Sequence, residues 1–274
     1  VLRVLKPFDP WRSELCTCPR KYSLHPYTGC THSCLYCYAT SYVGRRISKP
    51  KLDFIKMLKK DIYEADPRIP VELSTSSDPY TPEEAVIGIT RASLKLLKSR
   101  GFKVLITTKG TSFKYDQDLF DAVMVTITTL DDEISSKLEP NAPSPSERLE
   151  ALSQVEKRKG VRIDPIIPKI NDDLDDIREL LREARDCGAE HVVFSTYKAK
   201  PDNLRRMLNA FPELAELNFT ERIGGYKYLE RGLRYKLLKG AVEEALKLGM
   251  TASVCREGFP DLMRSSSCDG THML

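Results

Sequence analysis

The 274-residue chain is poor in glutamine, with only Gln117 and Gln154, and it holds one tryptophan and four histidines. Scarce amides in a chain of which 30% is charged are the composition of a heat-adapted protein. No stretch approaches the ~20 apolar residues that span a bilayer, which excludes a transmembrane helix and a membrane partner. The opening run Val1-Leu2-Arg3-Val4-Leu5-Lys6-Pro7 has too short an apolar stretch for a secretory signal. A charge excess is also missing. Lys+Arg 43 against Asp+Glu 39 leaves +4, which permits a nucleic-acid partner without arguing for one. There is no P-loop, no H-E-x-x-H and no G-x-G-x-x-G, so those chemistries have no support. Collagenous, mucin-like and disordered classes fail on composition.

Cysteine is the residue that stands out, with eight copies. Without a secretory signal they point to a reducing compartment, the cytoplasm, where clustered cysteines serve as metal ligands or catalysts more often than as disulfides. The length suits one large domain or two small ones. No linker divides it, and a monomer is expected.

A charged helical stretch that ends in glycine and runs at once into a β-branched strand recurs along the chain. It occurs at Gly101 before Phe102–Thr107, at Gly160 before Val161–Asp164, at Gly188 before His191–Phe194, and at Gly249 before Met250–Val254. Glycine takes the left-handed conformation that ends a helix without steric cost. Helix, turn and strand in repetition mean βα units and a parallel sheet. Further strands are expected near Val71–Ser74 and Val123–Thr128, with helices over about 51–65, 83–100, 146–159, 173–187 and 229–248. The fold class is α/β. The pattern predicts a full or partial (β/α) barrel, and a doubly wound sheet is the alternative that periodicity cannot separate. Ligand chemistry then belongs at the carboxyl ends of the strands, where Asp78, Lys109, Ser195, Thr196 and Cys255 fall.

The strongest motif is Gly29-Cys30-Thr31-His32-Ser33-Cys34-Leu35-Tyr36-Cys37-Tyr38-Ala39, three cysteines at C-x3-C-x2-C spacing. Three thiolates on one short loop can hold a 4Fe–4S cluster and leave its fourth iron open. A zinc site needs a fourth ligand, which His32 would have to supply, and this spacing is unusual for zinc.

C-x3-C-x-aromatic-C is the signature of the radical S-adenosylmethionine enzymes, and this chain resembles them. Four segments resemble the branch that contains spore photoproduct lyase: Pro26–Ala39, Ser76-Ser77-Asp78-Pro79-Tyr80, the stretch from Leu138-Glu139-Pro140 to Arg148, and Pro165–Asp172. The resemblance runs from about residue 24 to 175. It implies a partial (β/α)6 barrel, a 4Fe–4S cluster on Cys30, Cys34 and Cys37, and S-adenosylmethionine on the open iron. Reductive cleavage of that sulfonium releases a 5′-deoxyadenosyl radical that takes a hydrogen atom from substrate. The resemblance further implies a reductant such as a ferredoxin or flavodoxin, Tyr36 against the adenine, and Ser76, Ser77, Lys109 and Thr126 around the methionyl and ribose parts. Arg148 with Glu139 is either a cofactor clamp or a bracing pair. In the lyase a hydrogen-donating cysteine stands just before the Ser-Asp pair of the second strand. Here Ser74-Thr75 occupies that place, and photoproduct repair is not carried over. Nucleic acid or a nucleotide is the substrate class the branch suggests.

Five cysteines remain. Cys187 reads as a small buried apolar residue. Cys16, Cys18, Cys255 and Cys268 are expected to meet at the barrel mouth around an auxiliary 4Fe–4S cluster. Zinc, redox-active thiols and Cys255 acting alone as a catalytic hydrogen donor stay open. The expected layout is an N-terminal extension over 1–23, the barrel over 24–255 and a tail over 256–274, with both extensions near the mouth. The basic-aromatic run Arg222–Lys236 reads as the first turns of an amphipathic helix or a nucleic-acid contact. Asp172, Asp173, Asp175 and Asp176 read as a helix cap, Ser146 as another, and Trp11 as a packing anchor. The competing functions are sulfur insertion or peptide modification by the same chemistry, or a non-enzymatic zinc or iron–sulfur module that binds nucleic acid.

Overall fold

The computed structural model describes residues 2–8, 13–73 and 76–274. Trp11, Ser74 and Thr75 lie outside the described residues. One sheet organises the chain. Its strands are β1 (Lys6–Pro7), β2 (Tyr22–Leu24), β3 (Val71–Leu73), β4 (Val104–Thr108), β5 (Ala122–Thr126), β6 (Arg158–Ile166), β7 (His191–Thr196) and β8 (Thr251–Val254). They lie side by side in chain order. β1 pairs antiparallel with β2, and every later neighbour pair is parallel. A doubly wound sheet would reverse its strand order partway. This one never does, so the partial barrel is the fold, with β8 added to the six strands β2–β7.

Side chains alternate across the strands and separate two environments. Val104, Ile106, Val123, Val125, Val161, Ile163, Val192 and Phe194 face outward into one core with Leu58, Leu94, Leu152, Leu181 and Leu238 of the covering helices. Each such buried side chain contributes about 1.5–3 kcal/mol. Several of the intervening positions are polar or charged, and they furnish the interior of the barrel.

Three of the four glycine-terminated helices end as expected, with Gly101, Gly188 and Gly249 at positive φ. The fourth does not. The helix Pro145–Ser153 stops early, and Gly160 lies inside β6. A Cβ there would meet the His191 carbonyl oxygen at 2.5 Å and Met124 Sδ at 2.7 Å. Glycine is required by close strand packing, not by a helix end. That helix is capped by Ser144 in a capping box with Glu147, so Ser146 is not the cap. Asp173 caps Leu174–Asp186 by accepting from the amides of Asp175 and Asp176. The expected helix over 83–100 breaks at Gly88 into Glu84–Ile87 and Ile89–Ser99. Cys187 is half-buried against the main core.

The basic-aromatic run is a hairpin in its first half and the expected helix start in its second. Glu221–Ile223 and Tyr226–Tyr228 pair antiparallel, and the second also pairs with Lys198–Ala199. Tyr226 and Tyr228 are buried, so the aromatics of this run pack inward, and the helix begins only at Arg231.

The tail also departs from expectation. Arg264 bridges to Ala252 of β8, and the chain then turns under the barrel. Met273 packs with Leu105, Ala122, Met124 and Val193, near the amino-terminal halves of their strands. The tail therefore closes the barrel floor instead of standing at the mouth.

His191 lies beside this floor, its ring edge-on to His272 at 4.6 Å, with Thr251 Oγ1 3.0 Å from Nδ1. Burial, reinforced by His272, holds its pKa down at about 3 against the usual 6.5. Below pH 6.5 the unfolded chain takes a proton that the folded chain refuses. Stability therefore falls from pH 6.5 toward 3, at up to about 1.4 kcal/mol per pH unit from this group. Denaturant titrations across that range should show the loss. H191Q should flatten the slope, and an unchanged slope contradicts the assignment.

Candidate active site and second cysteine centre

The motif loop follows β2 and is pinched at its neck, where Tyr27–Thr28 pairs with Lys49–Pro50. Turns inside it aim the thiols. Ser33 N donates to Cys30 O, Cys37 N to Cys34 O, and Leu35 N to Leu138 O. Cys30, Cys34 and Cys37 line a cavity of about 330 Å³ within the barrel. His32 does not join them as a ligand. Its Nδ1 faces Asn141 O at 3.2 Å and its Nε2 faces Asp78 Oδ2 at 3.4 Å. Asp78 also accepts from Thr108 Oγ1 and from the Lys109 amide, each at 2.6 Å. Burial alone would raise this carboxyl, but His32, Thr108 and the Lys109 amide outweigh burial and hold it at about 2.

The loop fits an iron–sulfur cluster and not a single ion. Among the described residues, the one group of ligating atoms gathered within 4.8 Å is Cys18, Cys268 and Asp269. Cys30, Cys34 and Cys37 do not form such a group. Thiolates on different irons of a cubane stand farther apart than thiolates on one tetrahedral ion. Burial and nearby Asp78 push the Cys30 thiol up to about 12, and burial pushes Cys34 well above the usual range. The bare Cys30 and Cys34 thiols hold their protons and would release them to a cationic centre.

Ser76, Ser77, Lys109 and Thr126 line the same cavity, as expected of strand-end residues. Ser77 Oγ donates to Tyr27 O at 3.1 Å, which ties the β3 exit to the loop neck. The Lys109 ammonium stands 5.5 Å from the centre of the Tyr36 ring. Tyr36 is buried, and its hydroxyl donates to Glu139 Oε1. Arg148 lies behind that carboxylate and does not reach the cavity. Its Nη2 is 2.5 Å from Glu139 Oε2, while Nε donates to Pro143 O and Nη1 to Thr126 O. Arg148 is thus a brace for Tyr36 and β5, the second of its two expected readings, and it is not among the residues that line the cavity as a cofactor contact would.

Cys16, Cys18 and Cys255 line this cavity as well. Cys268 is buried and donates from its thiol to Cys18 Sγ at 3.3 Å. Hydrogen bonds from Cys16 and Cys268 hold Cys18 well below the thiol range and push its two donors up. Cys18 meets Cys268, and Cys16, Cys18 and Cys255 share the cavity of the motif loop, with Cys255 at the carboxyl end of β8. Lys21 immediately precedes β2, at its amino end, and the last residues of the tail pack beneath the sheet. Lys21 pairs with both Glu72 and Asp269, all three buried.

Several cavity residues went unnoticed in the sequence. Arg162 and Asp164 form a 2.5 Å ion pair, and Lys198 is 2.6 Å from Glu257. A signal existed for the first pair. Charges at alternate positions of an apolar strand, Val161-Arg162-Ile163-Asp164, must point away from the outer core.

A family model of the Radical SAM superfamily matches residues 24–184, more than half of the chain. An uncharacterised protein of Acidianus two-tailed virus is 30% identical over 193 residues, 60% of this chain and 63% of that protein. An uncharacterised protein of Methanocaldococcus jannaschii is 27% identical over 238 residues, 79% of this chain and 85% of that one. Solved structures share the fold. A variant of spore photoproduct lyase superposes with a TM-score of 0.66 at 17% identity, covering 93% of this chain and 79% of that chain. SuiB of Streptococcus suis bound to S-adenosylmethionine gives 0.56 at 13%, covering 87% and 52%. No helix among the described residues is long and apolar enough to cross a membrane. The chain spans less than two thirds of the length of the first of these relatives, the viral protein. The motif loop, the barrel and the match over residues 24–184 agree: the chain belongs to the Radical SAM superfamily, whose family cofactors are a 4Fe–4S cluster and S-adenosylmethionine.

Proposed function

We propose that Cys30, Cys34 and Cys37 hold the 4Fe–4S cluster and that S-adenosylmethionine lies between this loop and the strand ends. Bound there, the pair of cofactors supplies one-electron chemistry for hydrogen abstraction. The protein's part is positioning. Lys109 offers its ammonium to the cofactor carboxylate. Tyr36, fixed by Glu139 and Arg148, flanks the adenine, and Ser76, Ser77 and Thr126 meet the polar groups. One observation carries this reading: the three motif thiols and these strand-end residues share one cavity. Incubation of the reduced, anaerobic protein with S-adenosylmethionine should yield 5′-deoxyadenosine, and absence of that product would refute it.

Cys16, Cys18, Cys255 and Cys268 are the donors of the second iron–sulfur centre. The 3.3 Å approach of Cys18 and Cys268, with Asp269 beside them, equally suits a single zinc ion, the alternative that metal analysis separates. The support for the cluster is that Cys16, Cys18 and Cys255 share one cavity and that Cys268 meets Cys18. Iron counting separates one cluster, about four irons per chain, from two, about eight. C255A should lower the count toward four, and an unchanged count removes the second centre. The alternative for Cys255, a lone hydrogen donor, predicts a normal count and lost turnover.

The substrate is a nucleic acid or nucleotide. A solved spore photoproduct lyase of the same fold holds a dinucleoside spore photoproduct. Deuterium transfer from a labelled oligonucleotide into 5′-deoxyadenosine tests the class. The second centre in the reaction cavity favours a further reading, sulfur insertion, which predicts a product heavier by one sulfur atom. A ferredoxin or flavodoxin supplies the electron, and the reducing cytoplasm suits eight free thiols.

A further inference from the structure

The cavity is lined by cations that are already paired. Lys21 is held by Glu72 and Asp269, Arg162 by Asp164, and Lys198 by Glu257. Among the described residues, two inner cations of the lining have no carboxylate within ion-pair distance. One is Lys109, whose partner in the reading above is the cofactor carboxylate. The other is Arg256.

Arg256 is 8% exposed, directly follows Cys255 and lines the cavity. Its guanidinium sits 4.8 Å from the centre of the Tyr38 ring and 4.9 Å from that of Tyr226. Those rings meet edge to face at 5.7 Å and form an aromatic corner around it. The backbone at Arg256 has φ of 55°, a left-handed conformation that bulky side chains rarely adopt. A buried guanidinium is costly when no anion neutralises it, and its planar fork of donors matches the paired oxygens of a carboxylate or phosphate. Ring faces fix its direction without using up that charge.

We infer that Arg256 is the substrate-anchoring residue and that it binds an oxyanion of the substrate, a phosphate or a carboxylate, in the barrel interior. The inference deepens the proposed function by giving the substrate of that same cavity an anionic group. A nucleotide brings the phosphate, and a peptide or amino acid brings the carboxylate.

The test titrates inorganic phosphate and, separately, acetate into the anaerobic, iron-loaded protein and follows heat or tyrosine fluorescence. One of the two should bind the wild type. R256Q should weaken that binding by roughly tenfold or more, and R256K should fall between, because a point charge keeps attraction but loses the fork. Preference for phosphate assigns the nucleotide source, and preference for acetate the carboxylate source. Equal binding by wild type and R256Q overturns the inference, as does no binding by the wild type. Iron is counted in both variants. A lower count in R256Q would make Arg256 a counter-charge for the second centre and would likewise overturn it. The titration needs no turnover, so failure of 5′-deoxyadenosine formation would sink the earlier reading and leave this one measurable.

Discussion

Alanine at position 34 should abolish 5′-deoxyadenosine formation down to the uncatalysed background and remove the iron of the first cluster. Cys34 is the most enclosed of the three motif thiols. Its carbonyl also accepts from the Cys37 amide, so the two ligands are oriented together. With two thiolates left, the cluster needs a replacement ligand, and His32 is held between Asp78 and Asn141. Because the cofactors carry the difficult chemistry, their loss leaves nothing for the barrel to accelerate. Iron analysis, the visible spectrum and product assay of C34A measure this, with C187A as a control that should behave as wild type. Retained cleavage in C34A would contradict the assignment of the motif loop.

The largest effect on stability is expected at Glu139 and Arg148. Both are essentially inaccessible, and their ion pair is sealed between β5 and Tyr36. Removing one partner strands a buried charge, which costs about 3–5 kcal/mol. E139A should therefore lower Tm by on the order of 10 °C. The double variant E139L/R148M should recover most of that loss, since an apolar pair of similar volume replaces a buried ion pair at little cost. The double variant should still bind S-adenosylmethionine more weakly, because the Tyr36 hydroxyl loses its acceptor. Calorimetry and cofactor titration read the two effects apart. If E139A melts within a degree or two of wild type, the pair is not the brace described here.

What could be read in advance follows from which interactions are local. The three motif cysteines lie within eight positions, and their spacing alone selects the chemistry. Gly101, Gly188 and Gly249 end helices through the backbone conformation of a single residue, so the parallel sheet was legible. Gly160 carries the same local signature but owes its place to the His191 carbonyl, a neighbour brought up by strand pairing. The hairpin at Glu221–Tyr228 was hidden for a similar reason. Its partner Lys198–Ala199 lies on a different stretch of chain, and the alternation of basic and aromatic residues fits either structure. The leftover cysteines pointed to a shared site, but the approach of Cys268 to Cys18 depended on the path of the tail. Arg256 offered no pattern at all. Its proposed significance lies in the lack of a carboxylate partner among the described residues, and that is visible only once every neighbouring inner cation has been matched to its own.

The contact between Cys18 and Cys268 joins positions 250 apart in the chain. During synthesis, the motif loop emerges early and its three ligands leave the ribosome almost together. The other four thiols cannot assemble until Cys268 has been made and brought to Cys18, a closure of very high contact order. On the proposed assignment, metal delivery to the two places is therefore separated in time: the motif loop is open to loading on a nascent chain, whereas the second set must wait for the segment that carries Cys268.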